Sequence, residues 1–346
     1  MRIILTAIAT VVAAVLGPSL ASADTLPIRI GAATATDHAP VFVGVEKGIF
    51  AKHDLDPKVV MYQTGVEMIN GLLNGAQDVN VMGSVPFLAG VSNGFPLLLI
   101  GHLHGDPNRD SYADNVSVVA HADAGVAEGD VAALKGKTIG LPRGSGAEGY
   151  ALGVLDQAGL SEADVTILNV KPSELVTALN NGDVDAVAIW EPWGSTAVTK
   201  VDGAVRVIAG DCDGCYDPGT ILTTQQVASD QAEALRRFMI AFAEAQQWVR
   251  NNYDDAAEIN MRWIPGIDDE TMKMAIRPSN YDHRMSDYTP TMYTEKTIPF
   301  LLSQDKLKKS FDPNIAIDAQ FYLNAEAEHP EFYEDLPPIP AELRLD

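Results

Sequence analysis

Along this chain, short apolar runs alternate with stretches whose apolar residues recur at helical spacing, and the pattern occurs twice. Strands of the first series are predicted at residues 28–32, 58–62, 77–82, 96–101 and 116–120. Strands of the second series are predicted at residues 138–141, 165–170, 185–190 and 205–209. Such alternation favours mostly parallel sheets with helices on their faces, so two α/β lobes are expected.

Helices are predicted between these strands, at residues 41–50, 63–75, 83–94, 147–159 and 172–181. From Asp230 onward the pattern becomes helical, and Leu235, Phe238, Phe242 and Trp248 form its predicted buried face. The tail from Glu328 is rich in proline and acidic residues, and it is expected to lie on the surface.

Length and charge narrow the class of protein. The 346 residues are about twice a typical single domain, which agrees with two lobes. The formal charge of −23 argues against binding nucleic acid or an anionic membrane surface, because both are polyanionic. With only two cysteines, the chain cannot be a disulfide-stapled scaffold or a cysteine-rich zinc module.

The first 23 residues have the layout of a secretory signal peptide. Arg2 precedes an apolar run of 14 residues, and Ala21-Ser22-Ala23 follows as a small-residue cleavage site. A run of this length falls short of the roughly 20 residues that span a bilayer. No cysteine lies near the cleavage site, so no lipid anchor is expected. The sequence therefore predicts a mature protein that begins at Asp24 and is released into the bacterial periplasm.

Several segments, taken in order, resemble one known family. They include VGVEKGIFAKHDLDPKVV, LLNGAQDVNVMGS, LKGKTIGLPRGSGAEGYALGVLDQAGL and ALNNGDVDAVAIWEPW. Together they are similar to the nitrate/sulfonate/taurine branch of ABC-transporter substrate-binding proteins, over roughly residues 26–255. The resemblance implies a type II periplasmic-binding fold, in which two crossovers join the lobes and the ligand lies between them. Residues 24–118 and 213–346 would form the first lobe, and residues 119–212 the second.

Four turns are candidate ligand contacts. Ligands of open α/β sheets lie beyond the carboxyl ends of strands, where small-residue turns expose N–H groups at helix N-termini. The candidates are Thr36, Asp37 and His38; Gln63 and Thr64; Gly83 and Ser84; and Arg143, Gly144, Ser145 and Gly146. Each has a structural alternative: Asp37, Thr64 and Ser145 are also good helix caps, and His38 could be hydrogen-bonded structurally.

Three further candidates are Trp190 and Glu191, at the end of a predicted strand, and Tyr216, at the second crossover. In the resembling family a Trp-acid-Pro arrangement lines the cleft, which implies that Trp190 forms its wall and leaves Glu191 to bind an amine or to pair with a hinge residue. Trp190 could equally belong to the lobe core. Tyr216 could stack on a ligand, and Asp217 lies close to the expected cleft.

Cys212 and Cys215 form a C-x2-C pair. Two cysteines with distant histidines do not make a four-ligand zinc site, so no metal is expected. In an oxidising periplasm a small disulfide is the favoured outcome.

These observations favour a transport receptor that binds a small organic oxyanion or zwitterion, such as a sulfonate, a carboxylate or taurine. The alternative ligand is a flat heterocycle of the pyrimidine-precursor type, stacked between Trp190 and Tyr216. An enzyme on the same fold is less favoured, because no catalytic motif appears. An exported sensor, which would use the same cleft, is also less favoured. The expected partner is an inner-membrane ABC permease with its ATPase. No cofactor is expected, and the protein is expected to be a monomer.

Overall fold

The computed structural model describes residues 25–105, 115–210, 212, 215 and 217–345. The predicted signal peptide, residues 1–23, and the candidate Tyr216 lie outside the described residues. The strands are β1 (Leu26–Ala33), β2 (Leu55–Tyr62), β3 (Val79–Gly83), β4 (Leu97–His104), β5 (Val116–Ala120), β6 (Thr138–Leu141), β7 (Thr166–Asn169), β8 (Ala186–Trp190), β9 (Val205–Ala209) and β10 (Gly219–Thr224).

The strands form two five-stranded sheets with equivalent topology. The first has the order β2-β1-β3-β10-β4 and the second the order β7-β6-β8-β5-β9. In each sheet four strands run in one direction, and a single strand pairs antiparallel with both of its neighbours. We call the sheet of β1–β4 and β10 with its helices the first lobe, and the sheet of β5–β9 with its helices the second lobe. The predicted α/β class with two mostly parallel sheets is confirmed.

The antiparallel strands are the two crossovers. β5 follows the last first-lobe strand, β4, and enters the second sheet, whereas β10 follows β9 and returns to the first sheet. The run at residues 116–120, which ended the first predicted series, therefore pairs in the second sheet. The predicted boundary between residues 118 and 119 falls inside β5, and the exact limits of the lobes stay a prediction.

Helices cover the faces of both sheets. They are α1 (Ala39–Glu46), α2 (Ile49–Lys52), α3 (Gly65–Leu73), α4 (Ser84–Ser92), α5 (Gly146–Gln157), α6 (Pro172–Asn180), α7 (Trp193–Lys200), α8 (Gln225–Asp230), α9 (Ala232–Asn251), α10 (Tyr253–Trp263), α11 (Asp269–Ala275), α12 (Tyr288–Met292), α13 (Ile298–Ser303) and α14 (Gln320–Glu328). A π-helical turn at Tyr293–Thr297 joins α12 to α13.

Most predicted elements differ from the structure by a few residues at their ends, and two of the differences change the local structure. The single helix predicted at residues 41–50 is two helices, because Gly48 adopts a left-handed backbone with φ of 68° between α1 and α2. The strand predicted at residues 96–101 continues to His104 as β4. An argument based on apolar runs does not predict this extension, because the extension contains polar residues. The extension places a histidine at the end of the strand.

The largest helix packs on the first sheet as predicted. Leu235, Phe238 and Phe242 on α9 are fully buried, while Trp248 is partly exposed beneath the ammonium group of Lys47, 4.6 Å from its ring centre. The expectation of a surface tail is wrong in part. Phe332 and Ile339 are buried against the first lobe, because the tail carries apolar side chains between its prolines and acids. Among the described residues, none of the helices combines the length and apolar character needed to cross a membrane.

Candidate functional site

A cavity lies between the lobes, at the carboxyl ends of the strands that precede the small-residue turns. It contains about 550 Å³ of space not filled by protein atoms, part of which is open to solvent. Its wall includes turns of both lobes and the crossover residue Asp217. Eight of the predicted residues line it: Asp37, His38, Gln63, Thr64, Gly83, Ser145, Gly146 and Trp190.

Five other predicted residues are not in the cavity wall: Thr36, Ser84, Arg143, Gly144 and Glu191. The Thr36 hydroxyl donates to the carbonyl oxygen of Ala275 at 3.0 Å, so it is used within the first lobe. Gly144 has a φ of 73°, which fits a tight turn. Its N–H donates to Glu148 Oε2 at 2.7 Å.

The two charged side chains among these five are engaged elsewhere. Arg143 Nη1 donates to Glu148 at 2.8 Å and to Glu162 at 2.7 Å, so its charge is neutralised outside the cavity. Glu191 is buried and pairs with Arg206 Nη1 at 3.0 Å, and its other oxygen accepts from the Ser195 N–H at 2.9 Å.

The turn at the start of α4 is the most unexpected part of the site. Asp217 Oδ1 accepts hydrogen bonds from the Ser84 N–H at 2.6 Å, the Ser84 hydroxyl at 2.7 Å and the Val85 N–H at 3.2 Å. These donors, with the positive end of the helix dipole, are those that would bind a ligand oxyanion. The carboxylate of the chain itself therefore occupies the oxyanion position that the sequence predicts at Ser84.

Asp217 also reaches the second lobe. A methyl group added at Gly83 would lie 3.0 Å from Asp217 Oδ2, and one added at Gly146 would overlap the same oxygen. Only glycine at the start of α5 leaves room for this carboxylate. Burial raises the pKa of Asp217 above its usual value, and the hydrogen bonds from Ser84 oppose that effect. The carboxylate thus lies between the two helix N-termini.

Ser145 opens α5 in the second lobe, where it makes only local hydrogen bonds. Its hydroxyl donates to the Pro142 carbonyl at 2.6 Å and accepts from the Glu148 N–H at 3.4 Å. It is an N-cap that also lines the cavity. Thr64 is likewise the N-cap of α3, accepting from the Glu67 N–H at 3.3 Å.

A second buried carboxylate, Asp37, faces the cavity from the turn after β1. Asp37 is 4% exposed, and its Oδ2 lies 3.3 Å from Nε2 of His104 at the end of β4. No donor among the described residues is within hydrogen-bond distance of its Oδ1, and His38 Nε2 is 3.9 Å away. Burial raises the pKa of Asp37, but His38 and His104 outweigh that effect and leave the pKa below its ordinary value.

The tautomer of His38 follows from its partner. The Ala33 N–H donates to His38 Nδ1 at 2.8 Å, so in the neutral ring the proton lies on Nε2. Burial lowers the pKa of His38, although Asp37 opposes this effect. At neutral pH the imidazole is therefore uncharged, and the negative charge of Asp37 is not cancelled by it.

Trp190 forms part of the wall, as the resemblance implies. Its Nε1 donates to the Thr34 carbonyl at 3.2 Å, and Trp193 Nε1 donates to the same oxygen at 2.9 Å. Both tryptophans of the second lobe are thereby anchored to the first lobe, and the Trp190 ring is held at the cavity.

Further contacts join the lobes beside the cavity. Lys306 of the first lobe lies 3.0 Å from Glu148 and 3.2 Å from Glu162 of the second lobe. On the opposite side, Lys200 pairs with Asp268 at 2.5 Å. The structure thus shows the lobes in contact around the cavity.

Several residues of the wall were not predicted from the sequence: Met68, Met82, His104 and Asn115. His104 would have been found had β4 been extended by three residues, since strand ends face the cleft. Asp217 was noticed near the cleft, but no local pattern shows that a carboxylate binds a helix terminus more than a hundred residues away.

Cys212 and Cys215 are joined in a disulfide with a Cα–Cα distance of 5.3 Å. The Cys215 Sγ also lies 3.4 Å from the Tyr150 carbonyl on α5. The bridge therefore holds the crossover against the second lobe two residues before Asp217. Among the described residues, no group of three or more histidine, cysteine, aspartate or glutamate side chains is placed to hold a metal ion.

Comparison with known proteins identifies the family. The NMT1-like family model matches residues 21–264, well over half of the chain. The chain belongs to the NMT1-like family. This NMT1-like protein is 28% identical, over 306 residues, to a Bacillus subtilis (strain 168) protein named as aliphatic sulfonates-binding; the match covers 87% of this chain and 89% of that protein.

Solved structures share the fold. The alkanesulfonate-binding protein SsuA from Xanthomonas axonopodis pv. citri, bound to MOPS, aligns with a TM-score of 0.75 at 21% identity over 86% of this chain and 100% of SsuA. The periplasmic nitrate-binding protein NrtA from Synechocystis PCC 6803 aligns with a TM-score of 0.74 at 16% identity over 92% of each chain. The predicted family resemblance is confirmed. The fold also occurs in the desulfurization enzyme DSZB, with a TM-score of 0.65 at 15% identity over 88% of this chain and 99% of DSZB.

Proposed function

We propose that this NMT1-like protein is the periplasmic substrate-binding component of an ABC importer. It encloses a small organic solute between its lobes and delivers it to a membrane permease with its ATPase. The observation that carries the proposal is the cavity, whose wall combines turns of both lobes with a crossover residue. A ligand that touches both lobes favours their closure, and closure is a signal that a permease can recognise.

The ligand proposed from the sequence is a small oxyanion or zwitterion. Of these the zwitterion, such as taurine, agrees best with the site, because its amine can face the unpaired oxygen of Asp37. A free oxyanion would meet Asp217 at the α4 terminus. The second candidate is a flat heterocycle, which the Trp190 ring in the cavity wall supports.

Native mass spectrometry of the protein isolated gently from the periplasm tests the receptor function. A bound solute adds its mass to the folded protein, and the added mass disappears on denaturation. A variant with Trp190→Ala is expected to lose most of that mass, whereas Trp263→Ala, which is not in the cavity wall, is expected to keep it. No added mass in any growth condition, together with unchanged solute uptake after gene deletion, would contradict the proposal.

A further inference from the structure

The polar groups around the cavity are unequal in charge. Asp37 and Asp217 are both at least 93% buried and both line the cavity, whereas no lysine or arginine of the described part of the chain does so. The nearest arginine candidate, Arg143, is paired with Glu148 and Glu162. Among the described residues, a ligand entering this cavity therefore meets two carboxylates and neither a lysine nor an arginine.

Two oxygen atoms in the wall lack hydrogen-bond donors. Asp37 Oδ1 and Gln63 Oε1 are buried, and no donor from the described residues is within reach of either. A buried acceptor without a donor is unfavourable, and a charged acceptor more so. Bound solute that supplies N–H donors would satisfy both atoms, whereas a sulfonate or carboxylate supplies only further acceptors.

Several donors that would suit an anion are already used. The Ser84 N–H and hydroxyl and the Val85 N–H donate to Asp217, and the Ser145 hydroxyl donates to Pro142. The Trp190 N–H donates to Thr34. What the ring of Trp190 can still offer is its face, which attracts cations.

We propose that the cavity recognises the ammonium group of a small organic cation, with Asp37 and Asp217 as its counter-charges, and that no anionic group on the ligand is required. This inference rests on the proposed receptor function and names the chemical class of its ligand. Asp217 acts in two ways: it occupies the oxyanion position of α4 and adds a second carboxylate to the cavity wall.

Isothermal titration with matched pairs of solutes tests the inference. Ethanolamine has an ammonium group where isethionate has a sulfonate. Putrescine and succinate each have four carbons, but putrescine is a dication and succinate a dianion. We expect an ammonium member to bind and its anionic partner to give no heat. Asp37→Asn is expected to weaken that binding by about tenfold or more, since a hydrogen bond to a charged group is lost. Asp156→Asn, exposed on α5, serves as the matched control and leaves binding unchanged.

Binding of isethionate or succinate without the ammonium partner would overturn the inference and leave the receptor function intact. The inference would also be overturned if no solute of either pair bound, or if the Asp37→Asn variant bound the ammonium solute with unchanged affinity. In either case the mass of the periplasmic solute decides the receptor function separately, so the two failures are distinguishable.

Discussion

The two lobes have the same strand order, yet the serine turns that open α4 and α5 differ in what they bind. In the first lobe Ser84 binds the carboxylate of Asp217, which comes from a distant crossover. In the second lobe Ser145 bonds only to its own turn and helix. A small-residue turn before a helix therefore indicates where an anion can bind, but not whether the protein supplies that anion itself.

The lobes also differ in buried imidazoles, and the largest predicted effect uses this difference. His102 and His283 of the first lobe are buried, and burial lowers the pKa of each to about 3. Because their unfolded pKa is near 6.5, only the unfolded chain takes up their protons between pH 6.5 and 3. The contribution of these two histidines to the free energy of unfolding is therefore fully present above pH 6.5 and is lost as the pH falls. At pH 5 the loss is about 2 kcal/mol for each histidine.

Urea unfolding at pH 7 and pH 5, with hydrogen exchange, measures this loss. Amides of β4 should lose protection at pH 5 before amides of β6. The variant His102→Met should show about half of the acid sensitivity. If the variant and the native protein lost the same free energy of unfolding between pH 7 and pH 5, His102 would not be responsible for the loss.

The next largest effect comes from removing the internal anion. Asp217→Gly frees the Ser84 and Val85 donors at α4, so isethionate or sulfate should bind about a hundredfold more tightly than to the native protein. Asp217→Asn keeps an acceptor oxygen and should gain far less. Titration calorimetry of both variants measures the change, and unchanged anion affinity in Asp217→Gly would show that Asp217 does not block the site.

A smaller effect is expected at the contact between Asp217 and the second lobe. Gly146→Ala places a methyl group on the Asp217 carboxylate and should destabilise the protein by about 1–3 kcal/mol. In the Asp217→Gly background the same substitution should be nearly neutral, and the double-mutant cycle isolates the contact. An equal loss in both backgrounds would assign the effect to the backbone of Gly146 instead.

The smallest effect concerns the ion pairs between the lobes. Lys306→Gln removes two cross-lobe ion pairs, but Glu148 and Glu162 remain paired with Arg143. Since partly exposed ion pairs contribute about 1 kcal/mol or less, thermal stability should fall only slightly, and less so at high salt. Lys308→Gln, on an exposed residue of the same segment, is the control. A loss of several kcal/mol would mean that the lobes depend on Lys306 for their docking.

The sequence predicts the architecture better than the site. Strand and helix positions follow from apolar spacing, and turns such as Gln63-Thr64 and Ser145-Gly146 reach the cavity because strand ends share one edge. Arg143 and Glu191 have the right chemistry and the right turns, but each has a partner elsewhere that the sequence does not reveal. Tertiary pairing of charges, such as that of Asp217 with Ser84, depends on distances between segments far apart in the chain.

A crystal structure of residues 24–346, purified from the native host with its solute bound, would show directly which group of the ligand the cavity recognises. We expect an ammonium or other N–H donor of the ligand on Asp37 Oδ1, with Asp217 still bound to the Ser84 N–H. A ligand oxyanion on the Ser84 and Val85 N–H groups, with Asp217 displaced, would contradict it.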